Sequence, residues 1–382
     1  MQPVYITHTA TFLPNGPITN DRVEAVLGEI PNQPARVKQF VLANNGITSR
    51  YYAIDPTTGE RTHNNAQLAA AAIRALLAEA GVAEDALEGL ACGTSSPDQI
   101  IPSHANMVAG ELGLAPTEIV SNAGVCASGM AALKYGYMNV ALGQSNQFVV
   151  SGSECASASM VERQYRPLLE RLNQDVERSA MVSFEKEFLR WMLSDGAGAV
   201  LLEAAPRAGA TNLLVEDVVL RSWAGQLPVC MYAGMNKDRD GHLTHWYEEE
   251  DIGSIPHKGY LLLQQDVRAL EAHMVDVAVA GLRFLVETRR LDLDAIDWFL
   301  PHLSSMYFKA PLMERFEAEG LGIPEHKWFT NLTEKGNTGS ASIFIILDEL
   351  VRSGRLTKGQ RILCAVPESA RFTMAGMVLR VC

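Results

Sequence analysis

The chain has 382 residues, 47% of them hydrophobic and 20% charged, with a formal net charge of −12 at pH 7. That length exceeds one ordinary core and calls for two domains or two halves. The acidic balance disfavours non-specific binding to nucleic acid or to a membrane surface, and no apolar run reaches the roughly 20 residues that span a bilayer.

Six cysteines, at 92, 126, 155, 230, 364 and 382, show no paired spacing and no Cys-x-x-Cys. Reduced thiols in a cytoplasm fit this better than a disulfide frame or a structural zinc. The opening "MQPVYITHTATFLPNG" lacks the basic start and long apolar run of a signal peptide. It reads as a strand over 3–12 and a Pro/Gly turn. "NAQLAAAAIRALLAEAGV" (65–82) is an Ala-rich helix buried on most faces and stopped by Gly81, and "LEGLACGTS" (87–95) follows as a strand.

"SNAGVCASGMAAL" (121–133) sets Cys126 among small residues. Met130, Leu133, Tyr137, Val140 and Ala141 follow at helical spacing, so the thiol lies at or near a helix N-terminus. Unpaired N–H groups and the helix dipole favour a thiolate there. Small neighbours leave room for a substrate and for close backbone approach. A buried structural cysteine fits the same position. The segment 160–194 reads as one or two amphipathic helices, and 223–260 as an irregular excursion. Excursions of this length shape or cover a pocket. Within the second, "HLTHW" (242–246) with Glu248 reads as a loop, not a metal site.

"IDWFLPHLSS" (296–305) is a strand ending in Pro301-His302, and a strand end is where α/β folds present ligand groups. Asn337, in "NLTEKGNTGSAS", lies in a Gly-flanked turn before a helix. It is compatible with a site residue or with a plain N-cap.

Two distant stretches share one plan. "GQSNQFVVSGSECAS" (143–157) and "DGAGAVLLEAA" (195–205) follow the Cys126 helix. "GQRILCAVPESAR" (359–371) and "FTMAGMVLRVC" (372–382) follow the helix after Asn337. Each is loop, helix, Gly-Gln, apolar strand, Glu-containing turn and second strand. The reading is α/β with a duplicated unit: residues 1–205, carrying the cysteine and the insertion 160–194, and residues 206–382, carrying His302 and Asn337.

The order of Cys126, "PH" at a strand end and "GNTGSAS" resembles the thiolase-superfamily condensing enzymes, in particular ketoacyl-carrier-protein synthase III. "GTSSPDQIIPSHANMVAGELGL" and "LSDGAGAVLLE" extend the resemblance over nearly the whole chain. It implies a five-layer αβαβα fold of two duplicated halves, a homodimer and no cofactor or metal. It also implies Cys126 as acyl-accepting nucleophile. His302 and Asn337 would be donors to the thioester carbonyl of the second substrate, and the N–H groups of Cys126 and Ala370 would form the oxyanion hole.

The sequence departs from that family in four places. "ESARFT" (368–373) replaces a Gly triplet before Phe-Thr, and the His motif reads "HLSS". Phe40 and Asn44 stand where the family's Trp and Arg face coenzyme A, which favours an acyl carrier protein as donor. The insertion 160–194 is also longer than in chain-initiating enzymes.

The opening segment, "NNGITSRYYAID" and "THNNAQLAAAAIRALL" resemble the dialkylresorcinol-pathway ketosynthases. That branch makes 2,5-disubstituted cyclohexane-1,3-diones by one Claisen and one Michael step, ahead of an aromatising oxidase. Such a reaction gains from a base for an acidic C2 position, and Glu154 is the first candidate, ahead of Asp98. The alternatives are a chain-initiating synthase using malonyl carrier protein and an acyltransferase to an alcohol or amine. Arg163, Arg166, Arg171, Lys186 and Arg190 form either a basic rim for the carrier protein or a solvated helix face.

Overall fold

Period-two alternation organises the centre of the molecule. Along Gln147–Glu154, Phe148 and Val150 enter one core cluster and Val149 another. Along Arg361–Glu368, Ile362, Cys364 and Val366 face the same first cluster, while Leu363 and Ala365 face a third. Strands apolar on both faces must be covered on both. The computed structural model describes residues 1–30, 35–172, 188–238 and 240–382.

Nine strands form the main sheet, numbered here in chain order: β1 (Tyr5–Phe12), β2 (Gly89–Thr94), β3 (Glu118–Ala123), β4 (Gln147–Glu154), β5 (Gly196–Glu203), β6 (Leu213–Ser222), β7 (Trp298–Pro301), β8 (Arg361–Glu368) and β9 (Thr373–Val381). Their order is β7-β8-β9-β6-β1-β5-β4-β2-β3. The two arms meet in a short antiparallel pairing of β1 with β6, Tyr5 opposite Leu214 and Ile6 opposite Leu213. Outward from that seam the arms run alike. β5 is antiparallel to β1 and β4, and β4 is parallel to β2. Likewise β9 is antiparallel to β6 and β8, and β8 is parallel to β7.

The helices that matter here are α1 (Ala35–Asn45), α2 (Asn65–Ala80), α3 (His104–Leu112), α4 (Ser128–Ala141), α5 (Glu162–Leu172), α6 (Ser254–Lys258), α7 (Val267–Arg289) and α8 (Ser342–Arg352). Helices α4 and α8 share the central cluster with residues from both arms. Helices α2 and α3 cover the outer face of the first arm, and α7 that of the second. The result is five layers: helix, sheet, paired central helices, sheet, helix.

Local signals explain the boundaries. Asn64 accepts the Gln67 N–H at 2.8 Å and Gln67 accepts the Asn64 N–H at 3.0 Å, a reciprocal cap that starts α2. Gly81, at φ 63°, ends it. The first strand begins at Tyr5 rather than at residue 3.

The insertion supplies α5, whose Tyr165, Leu168 and Leu169 pack with Ile30 and Leu262. His257 on α6 meets the Pro167 carbonyl at 2.9 Å. Residues 173–187 lie outside the described residues. Where a loop was expected around 242–246, Met235–Lys237 and Leu243–His245 form an antiparallel hairpin, because the Asp238 carboxylate accepts the N–H groups of Asp240 and His242 and closes the turn. Among the described residues no helix is long and apolar enough to cross a membrane.

Candidate active site

The glycines beside Cys126 answer first to packing. A Cβ on Gly129 would lie 2.4 Å from the Ser340 carbonyl oxygen, and one on Gly152 would lie 2.3 Å from the same atom. The mouths of α4 and α8 therefore touch backbone to backbone, which only glycine permits. Cys126 stands two residues ahead of α4, and Asn337 precedes the turn that opens α8.

Cys126, Glu154 and Asn337 line one cavity of about 440 Å³, together with Met192, Leu193, Met231, Leu261 and Leu263. Ser304 also lines it, whereas His302 does not, although both follow β7. His302 is anchored by its N–H to the Ala365 carbonyl at 2.8 Å, and its Nε2 has no hydrogen-bond partner among the described residues. Burial lowers its pKa to about 4, so the imidazole is neutral at neutral pH. Asn337 is held by its own backbone: its N–H donates to Met192 O and its C=O accepts from Ser194, both at 2.9 Å. Its Oδ1 accepts the Gly339 N–H at 2.9 Å, which leaves the amide Nδ2 for a ligand.

The Cys126 thiol departs from the helix-terminus expectation. Burial, then Glu368, then Glu154, push its pKa well above the ordinary thiol value, and only its own N–H opposes them. Desolvation and two nearby carboxylates both disfavour the thiolate.

Glu154 is buried and fully engaged. Oε1 accepts the N–H groups of Ser95 and Ser340 at 3.0 and 3.1 Å, and Oε2 accepts the hydroxyls of Ser95 and Ser96, each at 2.6 Å. Burial raises its pKa and these bonds oppose the rise. Asp98 also lines the cavity, but its oxygens accept the Asn65 and Ala66 N–H groups at 2.9 and 3.0 Å and cap α2.

Ala370 differs from its expected role as oxyanion donor. Its N–H donates to Glu368 Oε1 at 2.9 Å, so it is taken, and its carbonyl accepts the Cys230 and Met231 N–H groups at 2.8 and 3.2 Å. Ser369, one residue earlier, is the member of that turn on the cavity wall. Arg371, in the stretch that replaces the Gly triplet, is exposed and does not line the cavity.

Glu368 went unremarked at the sequence level. The signal was there, since both repeated units carry a Glu at the end of the strand after the helix. Met231 lines the cavity, and Met374 packs against Gly281. Arg163, Arg166 and Arg171 are exposed, but Arg166 pairs with Glu162. Arg190 leaves the proposed basic rim, because it is fully buried and donates to the carbonyls of Met160, Leu27 and Gly28. Lys186 lies outside the described residues. Asp238, Asp240 and His242 bring three ligand atoms within 4.8 Å, all exposed and none on the cavity wall.

Known proteins share this fold. The profile of the 3-oxoacyl-[acyl-carrier-protein] synthase III C-terminal domain matches residues 286–381, and that of the thiolase N-terminal domain matches residues 52–186. A beta-ketoacyl-[acyl-carrier-protein] synthase III from Anaplasma marginale is 26% identical over 93% of this chain and 92% of its own. AbyA1, a tetronic acid condensing enzyme, superposes with a TM-score of 0.73 at 23% identity over 99% of both chains. An OleA variant from Xanthomonas campestris gives 0.75 at 20% identity over 99% of this chain and 98% of that one. The fold is thiolase-like. The chain is a ketoacyl-synthase-III-like condensing enzyme of the thiolase superfamily, an acyltransferase that forms carbon–carbon bonds.

Proposed function

We propose that the enzyme joins two acyl thioesters, delivered by acyl carrier protein, into a 2,5-disubstituted cyclohexane-1,3-dione for dialkylresorcinol-type products. The observation that carries this reading is a largely apolar cavity holding a thiol, a free amide and a buried carboxylate together. Cys126 takes one acyl group as a thioester. The Asn337 amide and neutral His302 hold the thioester carbonyl of the second substrate as its enolate forms. Glu154 is the base for C2 of a β-ketoacyl thioester, and the Ser95 and Ser96 hydroxyls free a lone pair by rotating.

One bond forms by Claisen displacement of the Cys126 thiolate and one by Michael addition. The 2,5-pattern then requires that the nucleophile's own thioester carboxyl leave by hydrolysis and decarboxylation. A separate aromatising oxidase would act on the dione.

Carrier-protein donors fit the α1 positions. Phe40 is 61% exposed and the Asn44 side chain folds back to the Phe40 carbonyl at 2.7 Å. The reading includes two halves, 1–205 and 206–382, supported by the like-ordered arms. It also includes a homodimer centred on β3, an edge strand of the sheet. Ile100 and Ile101, 84% and 83% exposed, follow the cavity-lining segment Ser96–Asp98 in the loop after β2, the strand paired with β3. All six cysteines are free, which fits a reducing cytoplasm.

Incubation with β-ketoacyl and α,β-unsaturated acyl thioesters, followed by mass spectrometry, should give the cyclic dione. A linear β-ketoacyl product formed only with malonyl carrier protein would instead assign a chain-initiating synthase.

A further inference from the structure

The turn between β8 and β9 is Ser369-Ala370-Arg371-Phe372, closed by the pair Glu368 opposite Thr373. Phe372 has φ 59° and is fully buried, its ring edge-on to His273 at 5.5 Å. A bulky side chain in the left-handed region is strained, and the surroundings must hold it there. Three N–H groups from outside the turn hold its carbonyls, Trp223 on Phe372 at 2.8 Å and Cys230 and Met231 on Ala370 at 2.8 and 3.2 Å, while its N–H groups are held by Glu368. One of its oxygens accepts the Ala370 N–H at 2.9 Å and the other the Thr373 N–H at 3.2 Å. Converging backbone N–H groups of this kind make an anion nest. Here the nest is filled by the chain's own carboxylate.

The direction of Glu368 follows from its strand. Ile362, Cys364 and Val366 belong to the central cluster with Cys126, Ala127 and Met130. Glu368 continues that period-two row and is buried. It does not line the cavity; Ser369 does. Of the two carboxylates that raise the Cys126 thiol, Glu368 acts the more strongly. The Cys126 N–H faces its own sulfur, and among the described residues the Ser369 N–H has no acceptor. Cys126 and Ser369 line the same cavity.

We propose that Glu368 is a positioning residue for acyl transfer to Cys126. By filling the nest it commits the Ala370, Arg371 and Thr373 N–H groups to itself and leaves Ser369 N–H as the turn's donor to the thioester carbonyl. The carboxylate touches neither substrate nor sulfur. It fixes which amide faces the oxyanion. The inference rests on Cys126 being the acylated nucleophile, so the test separates the two claims.

Wild type, Glu368→Gln, Glu368→Asp and Glu368→Ala are mixed with an acyl carrier-protein thioester, and acyl adducts are followed by intact-protein mass. Alkylation by iodoacetamide, which develops no oxyanion at the turn, is timed in parallel, with thermal melts as a check on folding. Acylation should fall about 100-fold in Glu368→Ala and less in Glu368→Gln, which keeps one acceptor, since misplacing an oxyanion donor costs on that order. Alkylation of Cys126 should hold or rise as the nearby anion is removed. Glu368→Ala acylating at the wild-type rate would overturn the proposal, as would parallel losses of acylation and alkylation in the folded Gln or Asp variant. A wild-type protein that takes no acyl group would instead remove the nucleophile assignment beneath it.

Discussion

Two corresponding strands, β4 and β8, end in a buried glutamate, and the two carboxylates have different surroundings. Glu154 binds across the molecule, to the loop after β2 and to the turn that opens α8. It stands on the cavity wall. Glu368 binds only the turn it opens and stays behind the wall. The connection accounts for the contrast. Some 40 residues intervene between β4 and β5, so the Glu154 carboxylate has no hairpin of its own to cap. Four residues join β8 to β9, and the N–H groups of Ala370 and Arg371 among them, with that of Thr373 at their end, meet the Glu368 carboxylate. One repeated unit thus places one carboxylate where a substrate carbon can meet it and the other where it shapes the backbone. On this account Glu154 belongs to condensation and Glu368 to acylation.

The largest expected effect removes both steps at once. Cys126→Ala should take up no acyl group and give no product, as read by intact mass. An adduct retained in that variant would leave neither carboxylate with a thioester to act on.

Asn337→Ala should separate the steps. Acylation is expected near the wild-type rate, with condensation down about 10²–10³-fold as an enolate donor is lost. Equal losses in both steps would move Asn337 out of the condensation group that it shares with Glu154.

A smaller effect probes the seam on which Glu154 depends. A Cβ at Gly129 meets the Ser340 carbonyl at 2.4 Å, and Ser340 donates to Glu154 but not to Glu368. Gly129→Ala should cost about 2–3 kcal/mol of stability by overpacking and slow condensation more than acylation. Unchanged denaturation would show that the two helix mouths have room to part.

The smallest effect is on pH. Burial depresses His302 to about 4, against 6.5 for the free side chain. Folding disfavours its proton, so its share of stability is complete above pH 6.5 and is lost as pH falls toward 4. His104, also depressed to about 4 by burial, acts in the same window. His302→Gln should therefore flatten, without abolishing, the fall in unfolding free energy between pH 6.5 and 4. A profile parallel to that of the wild type would mean that His302 is solvated.

Much of this was legible in the residues. Alternation in "FVVSGSE" and "RILCAVPE", the Ala-rich α2 and the repeated Gly-Gln junctions carried the layered plan. The ordered Cys126, His302 and Asn337 carried the family. What stayed hidden depends on long-range closeness. The small residues around Cys126 read as space for a substrate, but Gly129 and Gly152 are set by Ser340, two hundred residues away. Arg190 read as a surface cation, because nothing local announces its three carbonyl partners. Ala370 was misplaced as a donor because the claim of Glu368 on its N–H lies in the conformation of the turn. Burial and two anions push the Cys126 thiol up, and neither is visible in the residues next to it in sequence.

The central claim is that Glu154 serves the second half-reaction. Its most direct test is a rapid-quench experiment on Glu154→Gln, in which acyl-Cys126 is allowed to form and is then mixed with a β-ketoacyl thioester. The account predicts an adduct formed at the wild-type rate and consumed about 10²–10⁴-fold more slowly, the span of general-base contributions. Consumption at the wild-type rate, with the cyclic dione as product, would contradict it.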